Sequence, residues 1–148
     1  MAQYPIHHSL FFDVREFVDE KVWNALGEKS AWLIDPNIVR IADMVRQLSN
    51  SAVTINNWHT GGNYKSSGYR GIWDSTGATM SQHRCGRASD LKVKGFSPVQ
   101  ILHLIMANKS AFISAGLTVI EDVADTPTWL HVDCRPRLDD TSILIVKP

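Results

Sequence analysis

Ser81-Gln82-His83-Arg84-Cys85-Gly86-Arg87-Ala88-Ser89-Asp90 is the stretch on which the reading of this chain turns. It offers a histidine and an aspartate with a glycine between them. A glycine there permits a sharp backbone turn that aims both side chains at one point. A second cluster, Trp129-Leu130-His131-Val132-Asp133, follows well downstream. Two histidines and one carboxylate form a three-ligand set of the kind used by catalytic zinc sites, where the fourth position is left for water. Either cluster alone is a common coincidence; the pair nominates His83, Asp90 and His131 as metal ligands. Side chains alternate along a strand, so on Trp129–Asp133 the residues His131, Trp129 and Asp133 share one face. Leu130 and Val132 then face a core. Asp133 is positioned to orient a ligand or an arginine.

Working outward, Asp35-Pro36 predicts a helix start, with Asp35 as N-cap and Pro36 in the first turn. Ile38, Ile41, Ala42, Val45 and Leu48 recur behind it at helical spacing. The pattern of Phe12, Val14, Phe17, Val18, Val22 and Trp23 predicts an earlier helix within Asp13 to Ala25, stopping near Gly27. Ser97-Pro98 opens another, expected to run to about Asn108. Short strands are expected over Ala52–Asn56, Asp90–Val93, Leu117–Glu121, Thr128–Cys134 and Ile143–Val146. Thr60–Gly68 carries three glycines and is expected to be a loop, and Phe112–Gly116 to end in a turn. Helices come first and strands dominate later. The expected fold is therefore α+β, with N-terminal helices packed on a small antiparallel sheet that carries the zinc site.

Composition narrows the function classes. The chain has 148 residues, enough for one domain over 1–148 with a real core. Charged residues make up 20% and cancel to a net charge of zero, without the basic excess a nucleic-acid binder uses to neutralise phosphate. No apolar run reaches the length of a membrane span. The start, Met1 to His8, lacks the basic and apolar regions of a signal peptide, so synthesis in a cytoplasm is expected. The two cysteines, Cys85 and Cys134, are too few for a disulfide scaffold and read as reduced, partly buried thiols.

Ser-x-His-x-x-Gly-Arg-Ala-x-Asp, spanning Ser81 to Asp90, resembles the signature of zinc D-alanyl-D-alanine carboxypeptidases, a group that includes murein endopeptidases, many phage endolysins and the hedgehog signalling domain. Ser67-Gly68-Tyr69-Arg70 resembles a second element of that group. Trp129-Leu130-His131-Val132-Asp133 resembles the aromatic-x-His-x-Asp strand of one peptidase branch. The resemblance covers about Val53 to Arg135, with the three elements in matching order. It implies His83, Asp90 and His131 as zinc ligands, Arg70 as the partner of a substrate carboxylate or peptide carbonyl, and Ser81 as a hydrogen-bonding residue near metal or substrate. It implies a peptidase acting on the stem peptide of bacterial peptidoglycan. A chain without a signal peptide would then reach the wall by release through a holin or inside a virion.

One departure from the pattern concerns the proton carrier. Many relatives place a glutamate or histidine two or three residues before the last ligand, where this chain has Trp129 and Thr128, neither of which titrates usefully. Glu121, Asp122 and Asp125 precede that strand. A hairpin of Leu117–Glu121 with Thr128–Cys134 brings Glu121 or Asp122 beside His131, and alternation lets only one face the metal. Glu121 is chosen because some relatives carry a glutamate on the preceding strand, with Asp125 as reserve. The missing acid also leaves open a different class of function: a phage virion or binding protein that keeps the fold without hydrolysis. His7, His8, His59 and His103 are competing ligands, and Trp58 and Tyr64 are candidate apolar walls of a cleft.

Overall fold

The computed structural model describes residues 2–148. Among the described residues, four α-helices and a five-stranded mixed sheet make an α+β fold. The helices are α1 (Glu20–Leu26), α2 (Pro36–Ser49), α3 (Pro98–Ala107) and α4 (Lys109–Ser114). The strands are β1 (Val53–Thr54), β2 (Ala88–Val93), β3 (Val119–Glu121), β4 (Leu130–Asp133) and β5 (Leu144–Val146).

α2 begins where Asp35-Pro36 predicts. The Asp35 carboxylate accepts from the Asn37 N–H at 2.9 Å, and Asn50 closes the helix in the left-handed region. Ile38, Ile41, Ala42 and Val45 point into the core. The earlier helix is broken in two. Asp13 caps a 3-10 turn over Val14–Glu16, with Glu16 returning the bond to the Asp13 N–H. Asp19 then caps α1 by accepting from Val22 N–H at 2.9 Å. Two aspartates six positions apart each satisfy free N–H groups, so each starts its own helical piece. α1 ends at Leu26 with Gly27 as its C-cap, where the stop was expected, and a second 3-10 stretch then runs Gly27–Leu33. Phe112–Gly116 ends in the expected turn, but the turn follows a helix, α4, that was not expected. Asn108 bonds back to Leu104 O, ending α3, and one further helical segment follows.

The strand order is β1-β2-β4-β3-β5. β2 pairs antiparallel with both β1 and β4, and β3 antiparallel with β4. β5, however, runs parallel to β3, which corrects the expectation of an all-antiparallel sheet. After β4 the chain reverses and passes over β3 to its far edge. A strand that reverses relative to β4 must run the same way as β3, because β3 is itself antiparallel to β4. Arg137 holds this return by donating from Nη1 to Thr118 O at 3.1 Å and to Ser142 O at 3.0 Å. The helical layer covers one sheet face, where Leu91, Ile120, Leu130 and Val132 join Ile38, Ile41, Val45, Ile101 and Ile105 in one core cluster. The other face of β2 and β4 is left to polar side chains. No helix among the described residues is long and apolar enough to cross a membrane.

Candidate metal centre

β2 and β4 lie side by side with Asp90 directly opposite His131. The predicted alternation on β4 holds. Leu130 and Val132 are fully buried in the core, while His131 and Asp133 share the other face and contact each other. His83 reaches the same point from a 3-10 turn, Gln82–Cys85, that Gly86 terminates at φ +67°. A Cβ on Gly86 would stand 1.7 Å from Leu33 O, so the turn is also packed against the entry to α2.

The three inner atoms converge. His131 Nδ1 lies 3.0 Å from Asp90 Oδ1, His83 Nε2 lies 3.2 Å from the same oxygen, and the two ring nitrogens are 3.2 Å apart. All three residues are buried. Among the described residues this is the one group of three or more His, Cys, Asp or Glu side chains whose ligand atoms gather within 4.8 Å. The competing histidines are elsewhere: His7 Nε2 faces Ile34 O at 2.8 Å, and His59 stacks edge-on with Trp58.

The outer nitrogens decide what the inner ones can do. His83 Nδ1 faces Gly68 O at 2.8 Å. A carbonyl only accepts, so Nδ1 carries the proton and Nε2 presents a lone pair inward. His131 Nε2 faces Asp133 Oδ2 at 3.1 Å, which places the proton on Nε2 and leaves Nδ1 inward. Asp133, itself wholly buried, is held in a fork by Arg135, with Nε at 2.8 Å from Oδ1 and Nη2 at 2.5 Å from Oδ2. Two imidazole lone pairs and a carboxylate oxygen aimed at one buried point form a set that can hold a metal ion.

Without a metal the charges must be balanced by protons. Burial pushes Asp90 up, but hydrogen bonds from His131 and His83 hold its carboxyl far below the usual range. Burial lowers His131, yet Asp133 and Asp90 raise it to about 9. A proton thus occupies the centre near neutral pH, and a cation binding there displaces it.

The segment Ser67–Arg70 is laced to this centre by its backbone. Ser67 O accepts from Asp90 N at 2.9 Å, Gly68 O takes His83 Nδ1, and Arg70 N donates to His83 O at 3.1 Å. The Arg70 side chain is buried and engaged on three sides: Nε with Ser66 O at 2.7 Å, Nη1 with Thr76 O at 3.4 Å, and Nη2 with Asp90 Oδ2 at 3.3 Å. It borders the cleft over the three candidate ligands while bracing one of them. Ser81 also lines the cleft, and its hydroxyl caps the turn by accepting from His83 N at 3.3 Å.

That cleft has a volume near 650 Å³. Glu121 enters it from the end of β3, with Oε1 3.8 Å from His131 Nδ1. Asp125 lines the same cleft, whereas Asp122 turns away and accepts from Ala124 N–H in the loop. Of the two adjacent acids only Glu121 faces the ligands, as strand alternation requires. The return of β5 brings Val146 and Lys147 to the same cleft. Tyr64 borders a neighbouring hollow, while Trp58 is committed to Val18 O through its indole N–H at 2.7 Å.

Sequence reasoning passed over Arg135 and the Gly68 carbonyl. Arg135 sits two residues beyond Asp133, at the spacing of same-face neighbours on an extended chain, and that spacing was the available signal. Nothing in the sequence marks the Gly68 carbonyl. Of the two cysteines, Cys134 is buried, with its thiol pushed up to about 12 chiefly by burial, and Cys85 is exposed rather than partly buried; both are free. No protein-family model, no curated protein and no solved structure matches this chain.

Proposed function

We propose that the protein is a zinc-dependent peptidase that hydrolyses peptide bonds of bacterial peptidoglycan stem peptides. The observation that carries the proposal is the inward convergence of His83 Nε2, His131 Nδ1 and Asp90 Oδ1 at 3.0–3.2 Å, beside a cleft into which a carboxylate projects. Tetrahedral zinc with bonds near 2.0–2.1 Å separates its ligand atoms by about 3.3 Å. The spacing and the N,N,O donor set fit that ion, and two histidines with one carboxylate leave a coordination position free. The resemblance of Ser81–Asp90, Ser67–Arg70 and Trp129–Asp133 to zinc D-alanyl-D-alanine carboxypeptidases supports the substrate class.

A zinc ion held there would lower the pKa of water to about 7 and polarise the scissile carbonyl. The residues supply the rest. Glu121 takes the proton from the attacking water and returns it to the leaving amine. Its distance of 3.8 Å from a ligand atom puts it within reach of anything that binds beside that ligand. Asp133 and Arg135 hold the His131 ring with its lone pair inward. Arg70 braces Asp90 and offers its cleft-facing edge to a peptide carbonyl.

The test is digestion of purified peptidoglycan by zinc-loaded protein, wild type and Glu121→Gln. The variant should keep one zinc per chain and lose about a hundred- to ten-thousand-fold in rate. His83→Ala and His131→Ala should lose the zinc. Zinc retained by both, or a Glu121→Gln protein of full activity, refutes the assignments. A zinc-loaded wild type that binds wall fragments and cleaves none makes the protein a binding module instead.

A further inference from the structure

A groove leads away from the candidate metal centre. The main cleft shares Arg70, Thr76, Asp90 and Trp129 with a second hollow of about 310 Å³. That hollow in turn shares Lys65, Ser66 and Thr76 with a third of about 350 Å³. The third is at the lower end of ligand pockets, which span roughly 300–1,000 Å³. No step of the proposed hydrolysis uses it.

The third hollow holds an indole that is fixed and yet open to water. Trp73 lines it and is 48% exposed. Its Nε1 donates to Asp19 Oδ2 at 2.8 Å. A Cβ on Gly71 would stand 2.4, 2.6 and 2.7 Å from Cζ2, Cε2 and Cη2 of the ring. Near-equal distances to three consecutive ring atoms put that point over the ring face rather than at its edge, so the bare Gly71 backbone supports one face of the indole. The loop that carries Trp73 is tied down at Asp74, whose Oδ2 accepts from Ser66 Oγ at 2.6 Å and whose carbonyl accepts from Arg84 Nη2 at 2.6 Å. A ring anchored in this way keeps apolar surface against water until a ligand displaces that water. Tyr64, also 48% exposed, lines the adjoining hollow.

The polar groups around Trp73 select the ligand. Glu20, Lys21, Lys65 and Ser75 line the same hollow and are exposed, so donors and acceptors are both open to it. The carboxylates of Asp19, Glu20 and Asp74 stand against the ammoniums of Lys21 and Lys65, a mixture that favours neither a strongly cationic nor a strongly anionic ligand. It suits a neutral ring with one apolar face and a hydroxylated edge. A pyranose is such a ring: its C–H face stacks on an indole while its hydroxyls and amides bond to mixed donors and acceptors. In peptidoglycan each stem peptide hangs from a strand of such sugars. We infer that the hollow at Trp73 is a sugar subsite, which binds the glycan strand of the wall while a stem peptide from that strand enters the main cleft. This inference rests on the peptidase reading above.

The experiment uses zinc-loaded full-length protein, wild type, Trp73→Ala and Trp73→Phe, with three probes: peptide-free glycan strands, soluble glycan-linked stem peptides, and the same peptides without sugar. Wild type should bind the glycan strands, and Trp73→Ala should bind them about tenfold more weakly, the effect of losing one aromatic platform. On glycan-linked peptide Trp73→Ala should raise KM by about the same factor with kcat unchanged, as loss of binding shared by ground and transition states requires. On sugar-free peptide it should match wild type within about threefold, and Trp73→Phe should recover part of the loss on the linked substrate. Glycan strands that wild type does not bind, or that Trp73→Ala binds equally well, overturn the sugar subsite and leave the peptidase reading standing. An equal loss on linked and sugar-free peptides also overturns it and makes Trp73 a support for the cleft wall. Glycan binding that depends on Trp73, in a zinc-loaded protein that cuts neither peptide, refutes the peptidase reading and leaves the sugar site in a binding module.

Discussion

Replacing Asp133 by asparagine isolates the support behind the candidate metal centre from its three candidate ligands. The carboxylate is wholly buried and makes two kinds of contact: Oδ2 accepts from His131 Nε2 at 3.1 Å, and both oxygens take the Arg135 fork. Asparagine keeps the size but removes the charge. Placed where Oδ2 stands, its oxygen can still accept from His131 Nε2 and Arg135 Nη2, but its NH2 group then opposes Arg135 Nε and the negative charge behind His131 is gone. Arg135 has a side chain 36% exposed, so it can turn to water rather than remain a stranded charge. The fold should therefore survive, and the damage should appear in the orientation and basicity of His131. Loss of such an outer partner typically weakens metal binding by about ten- to a hundredfold, equivalent to roughly 1.4–2.7 kcal/mol. The assay is a competition titration of zinc against a chromophoric chelator, with circular dichroism to verify folding. Asp140→Asn, at an exposed position, is the control. A folded Asp133→Asn protein with an unchanged zinc Kd would show that His131 needs no support from Asp133.

Gly86→Ala should lose at least about 2 kcal/mol in chemical denaturation, because alanine disfavours φ +67° and its Cβ would meet Leu33 O; a loss below 0.5 kcal/mol by the same measure, about the size of an ordinary surface change, would refute the close approach. Burial holds the Glu16 carboxyl up at about 7, above its ordinary 4.5, so the folded state holds that proton more tightly than the unfolded chain. Its contribution to stability is present in full below 4.5 and lost as pH rises through about 7. Glu16→Gln should flatten the fall in Tm between pH 5 and 8, and an equally steep fall would show that other groups cause it. Asp125→Asn, in the cleft but farther along the loop, should reduce peptidoglycan hydrolysis much less than Glu121→Gln; the opposite order would transfer the proton-carrying role to Asp125.

The local parts of this molecule are written locally. Asp35-Pro36 and Ser97-Pro98 start helices because a side-chain acceptor and a fixed φ act within one turn of where they stand. Leu130 and Val132 face the core and His131 and Asp133 face away because a strand has a period of two. The same rule selects Glu121 over Asp122 once β3 is placed beside β4. His83, Asp90 and His131 are legible as a set because two clusters, each a common coincidence alone, together offer two imidazoles and a carboxylate. What the sequence by itself could not determine depends on which strands become neighbours. Pairing Asp90 opposite His131 is a property of the β2–β4 register, and the parallel placement of β5 follows from a chain that passes over β3. No residue in β5 states the direction of a strand it does not adjoin in sequence. The engagement of Arg70 by Asp90, the grip of Arg135 on Asp133 and the support of His83 by the Gly68 carbonyl all arise in the same way. Each is a contact between groups whose relative position exists only after the sheet has formed, and a buried donor or acceptor takes whichever partner that packing brings within reach.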